Sequence, residues 1–155
     1  MTDLHAYEEK ARTWLASVAS VFGAAARKDL NEAQDLALAR RYLAARHDAG
    51  FGGIHWKREF GGQGLGYLEK LTFERAEAEY GMPTGYFGVS LAMPLPIVQR
   101  YGSDAEWVRA RSIKAQRGEE IWCQLFSEPS GGSDLAGLRT KAEREGGGWR
   151  ITGQK

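Results

Sequence analysis

The chain has 155 residues, with 21 basic and 20 acidic side chains and a formal net charge of +1. This balance argues against binding to nucleic acid or to an anionic membrane through a strong electric field. A single cysteine excludes an internal disulfide framework and a cysteine-rich zinc site. The start of the chain lacks an apolar signal segment, and no stretch is long and apolar enough to span a bilayer. We therefore expect a cytoplasmic protein without a membrane contact.

Apolar residues recur at intervals of three and four through most of the chain, which is typical of amphipathic helices. This spacing predicts five helices, over residues 4–22, 29–48, 67–80, 86–101 and 103–118. Capping boxes of Asp29 with Glu32 and of Ser103 with Glu106 predict where the second and the last helix begin. The fourth helix is nearly all apolar, so we expect it to be buried, and to break before Pro94.

Glycine is the one residue type in clear excess, with 20 in the chain. Seven of them lie within residues 50–66 and predict a loop. After residue 120, β-branched and aromatic residues predict strands over 121–126, 138–145 and 149–152, and the last two would be joined by the glycines at 146–148.

These patterns predict an α+β chain. A helical domain would cover residues 1–117, and the start of a β domain would cover residues 118–155. Three strands cannot close a stable sheet domain by themselves, so we expect this β domain to be cut off early.

The candidate site is the run at 127–134, which reads SEPSGGSD. Two adjacent glycines, Gly131 and Gly132, let the backbone approach a ligand closely, and successive amides in such a turn form a concave site for phosphate. For these residues alone, a plain polar β-turn is the alternative. Turn and cap roles account for Glu128 and Asp134 better than an acid–base pair does.

The same run resembles the signature of the acyl-CoA dehydrogenase family, in which a strand leads into a (Thr/Ser)-Glu-Pro-x-(Ala/Gly)-Gly-Ser-Asp turn. The likeness is carried by QLFSEPSGGSD at 124–134, and extends to the glycine loop at 50–66 and to GWRITGQK at 148–155. It implies a helical N-terminal domain followed by the first strands of a β-barrel-like middle domain. The family's C-terminal helical bundle is absent from these residues.

The resemblance also implies the residues that would hold FAD and an acyl-CoA. The FAD contacts carry over to Gln124, Leu125, Phe126, Ser127, Gly132 and Ser133. The acyl-CoA contacts carry over to Ser133, Leu91, Met93 and Pro94. Backbone groups of the strand and the Ser127 hydroxyl would bond the pyrimidine edge of the flavin, where hydrogen bonds tune the reduced ring.

By the same resemblance, the complete enzyme is an oxidoreductase of fatty acid metabolism that converts an acyl-CoA to a trans-2-enoyl-CoA. An electron-transfer flavoprotein would reoxidise it, and it would be a homo- or hetero-oligomer, a dimer or a tetramer. The family's catalytic base lies further along, so no catalytic residue is expected here. No metal site is expected either, because His5, His47 and His55 are scattered.

Two other functions remain open. One is a non-catalytic or truncated FAD-binding subunit that needs a partner chain. The other is a sister flavoenzyme such as an acyl-CoA oxidase.

Overall fold

The computed structural model describes residues 3–155, with Leu135 as backbone only. Contacts along the backbone divide the chain into two units, the first ending at Cys123 and the second comprising Gln124–Lys155. The first unit is helical, and the second holds a two-stranded antiparallel sheet. The α+β class expected from the sequence, with helices before strands, is therefore confirmed.

The helices of the first unit follow the predicted order. Those described are α1 Leu4–Phe22, α2 Ala24–Arg27, α3 Glu32–Asp48, α4 Tyr67–Glu79, α5 Gly88–Ala92, α6 Pro94–Tyr101 and α7 Ala105–Gln116. Short 3-10 turns occur at Arg58–Phe60 and Gly85–Phe87. Within residues 3–155, none of the helices combines the length and the apolar character needed to cross a lipid bilayer.

Two of the predicted helix starts are wrong by a residue or two. Helix α3 is capped by Asn31, whose side chain accepts the amide of Gln34 at 3.0 Å, and not by Asp29. Helix α7 is likewise capped by Asp104 and not by Ser103. Several polar residues precede each helix, so the sequence offers competing caps, and the packing of the helix decides which one is used.

The apolar segment at 86–101 breaks where it was predicted to break. Helix α5 ends at Ala92, Met93 leaves the helical conformation, and α6 begins at Pro94. The expected burial is only partly correct, because one face of the two helices is exposed. That face carries Val89, Met93, Ile97 and Tyr101, each four residues from the next. A helix turns its side chains in all directions, so an apolar composition by itself does not determine which face is covered.

An aromatic cluster forms the centre of the helical unit. Phe51, from the glycine-rich loop, stacks on Phe73 of α4 with ring centroids 4.7 Å apart, and Trp14 of α1 lies 5.2 Å from Phe51. Such pairs add to the hydrophobic gain from burying large rings. Gly62 lets the loop fold back tightly, since a Cβ there would lie 2.3 Å from the carbonyl oxygen of Trp56.

The strand predicted over residues 121–126 is wrong. These residues belong to no strand, and among the described residues the only strands are those of one hairpin. A strand needs a neighbour to bond its amides and carbonyls. At Trp122 a side chain takes that place: the buried Ser90 hydroxyl accepts the Trp122 amide at 2.7 Å and donates to the Trp122 carbonyl at 3.1 Å.

Substituting Ser90 should therefore destabilise the helical unit. Ser90→Ala leaves both backbone groups of Trp122 without their partner, so we expect a loss of about 1–3 kcal/mol in the free energy of unfolding. Denaturant unfolding followed by tryptophan fluorescence measures it. Ser20→Ala, an exposed serine of α1, is the matched control and should change stability by less than about 0.5 kcal/mol. Equal effects of the two substitutions would contradict this role of Ser90.

The second unit contains the predicted hairpin. Strands β1 Lys141–Glu145 and β2 Gly148–Thr152 pair with Lys141 opposite Thr152 and Glu145 opposite Gly148. Gly146, with φ of 60°, forms part of the turn. The first strand starts later than residue 138, because residues 135–137 form a 3-10 turn whose Gly137 amide donates to Asp134 at 3.2 Å.

Candidate functional site

The turn that begins at Glu128 is closed by two backbone hydrogen bonds. The Glu128 amide donates to the Gly131 carbonyl at 2.8 Å, and the Gly131 amide donates to the Glu128 carbonyl at 3.1 Å. The next two amides, of Gly132 and Ser133, make no hydrogen bond to any described residue, and both residues are exposed. Exposed amides that lack a partner are suited to bind an anion such as phosphate.

Ser127 and Gly132 lie close together across this turn. A Cβ at Gly132 would lie 3.7 Å from the Ser127 hydroxyl oxygen, and both residues are exposed. The turn therefore brings together three of the predicted cofactor contacts, Ser127, Gly132 and Ser133. It presents them as a hydroxyl donor beside two amide donors.

The other predicted cofactor contacts, Gln124 to Phe126, lie outside any helix or strand at the start of the second unit. The side chains of Leu125 and Phe126 are 65% and 68% exposed, which is unusual for residues of their size. Their surfaces are thus available to a ligand or to further protein.

The carboxylate of Glu128 connects the turn to the chain that precedes the hairpin. It accepts the Arg139 amide at 2.9 Å and the Thr140 amide at 2.8 Å, and its side chain is 6% exposed. The Thr140 hydroxyl lies within the same cluster without a hydrogen bond of ordinary geometry. The Thr140 side chain, the two amides and Lys155 lower the pKa of Glu128 to about 2. The carboxylate is thus ionised and serves the turn, and Asp134 caps the next turn, as the sequence predicted for both.

Lys155 contacts the residues on both sides of Ser127. Its ammonium group donates to the Phe126 carbonyl at 2.8 Å and lies 3.2 Å from the Glu128 carboxylate. The side chain of Lys155 is 16% exposed, so this ion pair is largely shielded from water.

The helical unit contains a cavity of about 1130 Å³ that is partly open to the surface. Its wall is contributed by α3, α4, α5, α6 and α7 and by the glycine-rich loop, and includes Leu91, Phe87, Ile54 and Met82. Leu91 is the only predicted substrate contact that lines it, since Met93 and Pro94 are not among the lining residues. Met93 belongs to the exposed face of α5 and α6 and is 47% exposed.

A buried group of charged and polar side chains lies at one side of this cavity. Arg46 of α3 pairs with Glu77 of α4 at 3.3 Å, and the Tyr42 hydroxyl donates to the same carboxylate oxygen. Burial raises the pKa of Glu77, while Arg46 and the Tyr42 hydrogen bond oppose that rise. Arg46 also donates to the Phe51 carbonyl at 3.0 Å and lies over the Phe73 ring at 4.8 Å. The cavity is thus apolar over much of its wall and has one fixed charged region.

Sequence reasoning did not find the partners of Glu128 or the charged group at the cavity. Lys155 is 27 residues away from Glu128, and Glu77 is 31 residues away from Arg46. A pairing over such distances leaves no local pattern, although Lys155 lies within the stretch that carries the family resemblance. Among the described residues, no group of three or more histidine, cysteine, aspartate or glutamate side chains is arranged to hold a metal ion.

Comparison with solved structures relates this fold to acyl-CoA dehydrogenases. The ChsE4-ChsE5 complex from Mycobacterium tuberculosis matches with a TM-score of 0.73 and 26% identity over 99% of this chain and 38% of that chain. The Tcur3481-Tcur3483 steroid ACAD matches with a TM-score of 0.68 at 22% identity, over 96% of this chain and 39% of that chain, a likeness of fold alone.

Comparison of sequences shows the family. Residues 3–110 match the model of the acyl-CoA dehydrogenase N-terminal domain. The acyl-CoA dehydrogenase FadE34 of Mycobacterium tuberculosis is 41% identical over 70% of this chain and 15% of its own length. The acyl-CoA dehydrogenase IpdE1 of the same organism is 34% identical over 100% of this chain and 41% of its own length. The chain belongs to the acyl-CoA dehydrogenase family, and it spans less than half the length of these relatives.

Proposed function

We propose that this chain is the N-terminal portion of an FAD-dependent acyl-CoA dehydrogenase. In this proposal it supplies part of the flavin site and part of the acyl pocket of an enzyme that forms a trans-2-enoyl-CoA. The observation that carries the proposal is the turn at 127–134, where three exposed residues bring the Ser127 hydroxyl beside the unpartnered amides of Gly132 and Ser133. Family membership directs that site toward a flavin nucleotide.

The residues of this turn fit FAD. The cofactor carries a pyrophosphate, and unpartnered amides at Gly132 and Ser133 are donors of the kind that bind it. The Ser127 hydroxyl can donate to a carbonyl at the pyrimidine edge of the flavin, and a donor there stabilises negative charge on the reduced ring. When bound, FAD would supply the acceptor for the hydride that leaves the substrate. The exposed Leu125 and Phe126 would then exclude water from one side of the ring.

The cavity of the helical unit favours a bulky acyl group. Its volume of 1130 Å³ exceeds the range of small-molecule pockets, which is about 300–1,000 Å³. A short straight chain would leave most of that volume without contacts. One relative is an (R)-benzylsuccinyl-CoA dehydrogenase, 32% identical over 74% of this chain, and one similar structure is described as a steroid ACAD. Both descriptions agree with a ring-containing substrate.

The proposal includes an oligomer and an external electron acceptor. One similar structure is described as the ChsE4-ChsE5 complex, so assembly with itself or with a second chain is expected. An electron-transfer flavoprotein is proposed as the acceptor on the basis of family membership alone.

Purified protein from the complete reading frame tests the function. We expect it to carry FAD, and the flavin should bleach anaerobically when the right acyl-CoA is added. A panel of short straight-chain, long straight-chain and ring-containing acyl-CoA thioesters should give the highest kcat/KM with the last group.

Comparing reoxidation in air with reoxidation by an electron-transfer acceptor under argon separates a dehydrogenase from an oxidase. If the protein binds no FAD and leaves every thioester unchanged, the proposed dehydrogenase activity is refuted. FAD bound without bleaching would favour a non-catalytic subunit.

A further inference from the structure

We propose that Glu128 and Lys155 act together as positioning residues that fix Ser127 and the turn at 127–134 for the flavin. This inference rests on the proposed function and extends it. Neither side chain is assigned a contact with the cofactor or the substrate. Their role is to hold the backbone on which the contacting groups stand.

The geometry places a restraint on each side of Ser127. The ammonium group of Lys155 donates to the carbonyl of Phe126, the residue before Ser127. The same group pairs with the carboxylate of Glu128, the residue after Ser127. Ser127 therefore lies between two points that are tied to one cation. Its own side chain needs no intramolecular partner and remains exposed.

The carboxylate of Glu128 adds a second restraint, from the start of the turn to residues 139 and 140. By accepting the amides of Arg139 and Thr140, it holds the 127–134 turn against the chain that enters β1. Gly153 lets β2 end close to this point, since a Cβ there would lie 2.4 Å from the Thr140 hydroxyl oxygen. Lys155 follows two residues later, so the end of the hairpin places its ammonium group beside the turn.

The pair should act as a unit, because each charge is shielded from water by the surrounding chain. The side chains of Glu128 and Lys155 are 6% and 16% exposed, and each provides the other's ionic contact. Removing one partner leaves the other charge poorly solvated, so the remaining side chain no longer holds the turn in place. The loss from a double substitution should thus resemble that from either single one.

The experiment compares variants of the full-length protein by titrating the apoprotein with FAD and recording its flavin spectrum. Glu128→Gln and Lys155→Met should each weaken FAD binding about tenfold or more, since a charged hydrogen bond that organises the site is lost. The double variant should bind FAD about as weakly as either single variant. Lys155→Arg keeps the charge and the hydrogen-bond donors. It should bind FAD within a few-fold of the wild-type affinity and give the wild-type flavin spectrum.

Glu143→Gln is the matched control, because Glu143 is an exposed carboxylate of β1 in the same unit. It makes the same chemical change and should leave the affinity for FAD unchanged. Hydrogen exchange supplies a readout that needs no cofactor: the segment holding Arg139 and Thr140 should exchange faster in Glu128→Gln and not in Glu143→Gln.

The failure of this inference is distinguishable from the failure of the proposed function. A wild-type protein that binds no FAD refutes the function and the flavin role of the pair, and hydrogen exchange then decides whether the pair holds the turn. A wild-type protein that binds FAD, with the affinity unchanged in Glu128→Gln, refutes this inference alone. The inference would also be overturned if the loss of FAD affinity in the double variant equalled the product of the two single losses, because the two side chains would then contribute independently.

Discussion

Replacing Arg46 by methionine is expected to lower the free energy of unfolding by about 3–5 kcal/mol, because it removes the cation beside a buried carboxylate. Glu77 is 6% exposed and pairs with Arg46 at 3.3 Å. Methionine fills much of the same volume, so the loss reports on the charge more than on a cavity. Denaturant unfolding of wild type and variant, followed by tryptophan fluorescence, measures the difference.

The control for this substitution is a second arginine–glutamate pair in the same unit. Arg75 pairs with Glu8 at 3.1 Å and its side chain is 67% exposed, so Arg75→Met should cost no more than about 1 kcal/mol. Adding Glu77→Gln to Arg46→Met should recover much of the loss, because the amide is neutral and still accepts the Tyr42 hydroxyl. A double variant less stable than Arg46→Met would contradict the assignment of the penalty to an unpaired buried charge.

The penalty should also depend on pH. Burial raises the pKa of Glu77 above its ordinary value of 4.5, and removal of Arg46 takes away an interaction that opposes the rise. When the pKa of a carboxyl is higher in the folded protein than in the unfolded chain, the free energy of unfolding falls as the pH rises from the unfolded-state pKa to the folded-state pKa. The difference between wild type and Arg46→Met should therefore be smaller at pH 5 than at pH 8.

Phe73→Ala should cost a similar amount, about 3–5 kcal/mol, by emptying the centre of the aromatic cluster. The Phe73 ring is fully buried, stacks on Phe51 at 4.7 Å and lies below Arg46 at 4.8 Å. The variant loses the burial of the ring, the stacking and the cation–π contact together, and its cavity can close only in part. The midpoint of thermal or denaturant unfolding reports the loss.

Leu68 is a fitting control for Phe73 because both are large apolar residues of α4 and only one is buried. Leu68 is 66% exposed, so Leu68→Ala should change the stability by less than about 0.5 kcal/mol. Phe73→Leu keeps most of the volume and should lose clearly less than Phe73→Ala. If Leu68→Ala and Phe73→Ala were equally destabilising, the orientation of α4 described above would be wrong.

The sequence by itself determined those helices, turns and breaks that depend on residues close together in the chain. The helix at 4–22, the break at Pro94 and the hairpin around Gly146 follow from periodicity, from the geometry of proline and from the freedom of glycine, which act within a few residues. The turn at 127–134 is of the same kind, and its residues also carried the family resemblance. These features could be read from the sequence because their causes lie next to one another in the chain.

Tertiary structure alone decided which partners these elements find. Helix α4 is apolar at Leu68 and at Phe73, and only the packing of the other helices shows that the first is exposed and the second buried. Residues 121–126 have strand composition, but Ser90 takes the place of a neighbouring strand. The pairing of Glu128 with Lys155 likewise spans 27 residues of sequence. Contacts between residues far apart in the chain form only when the whole fold brings them together. The spacing of apolar residues along the sequence therefore cannot predict them.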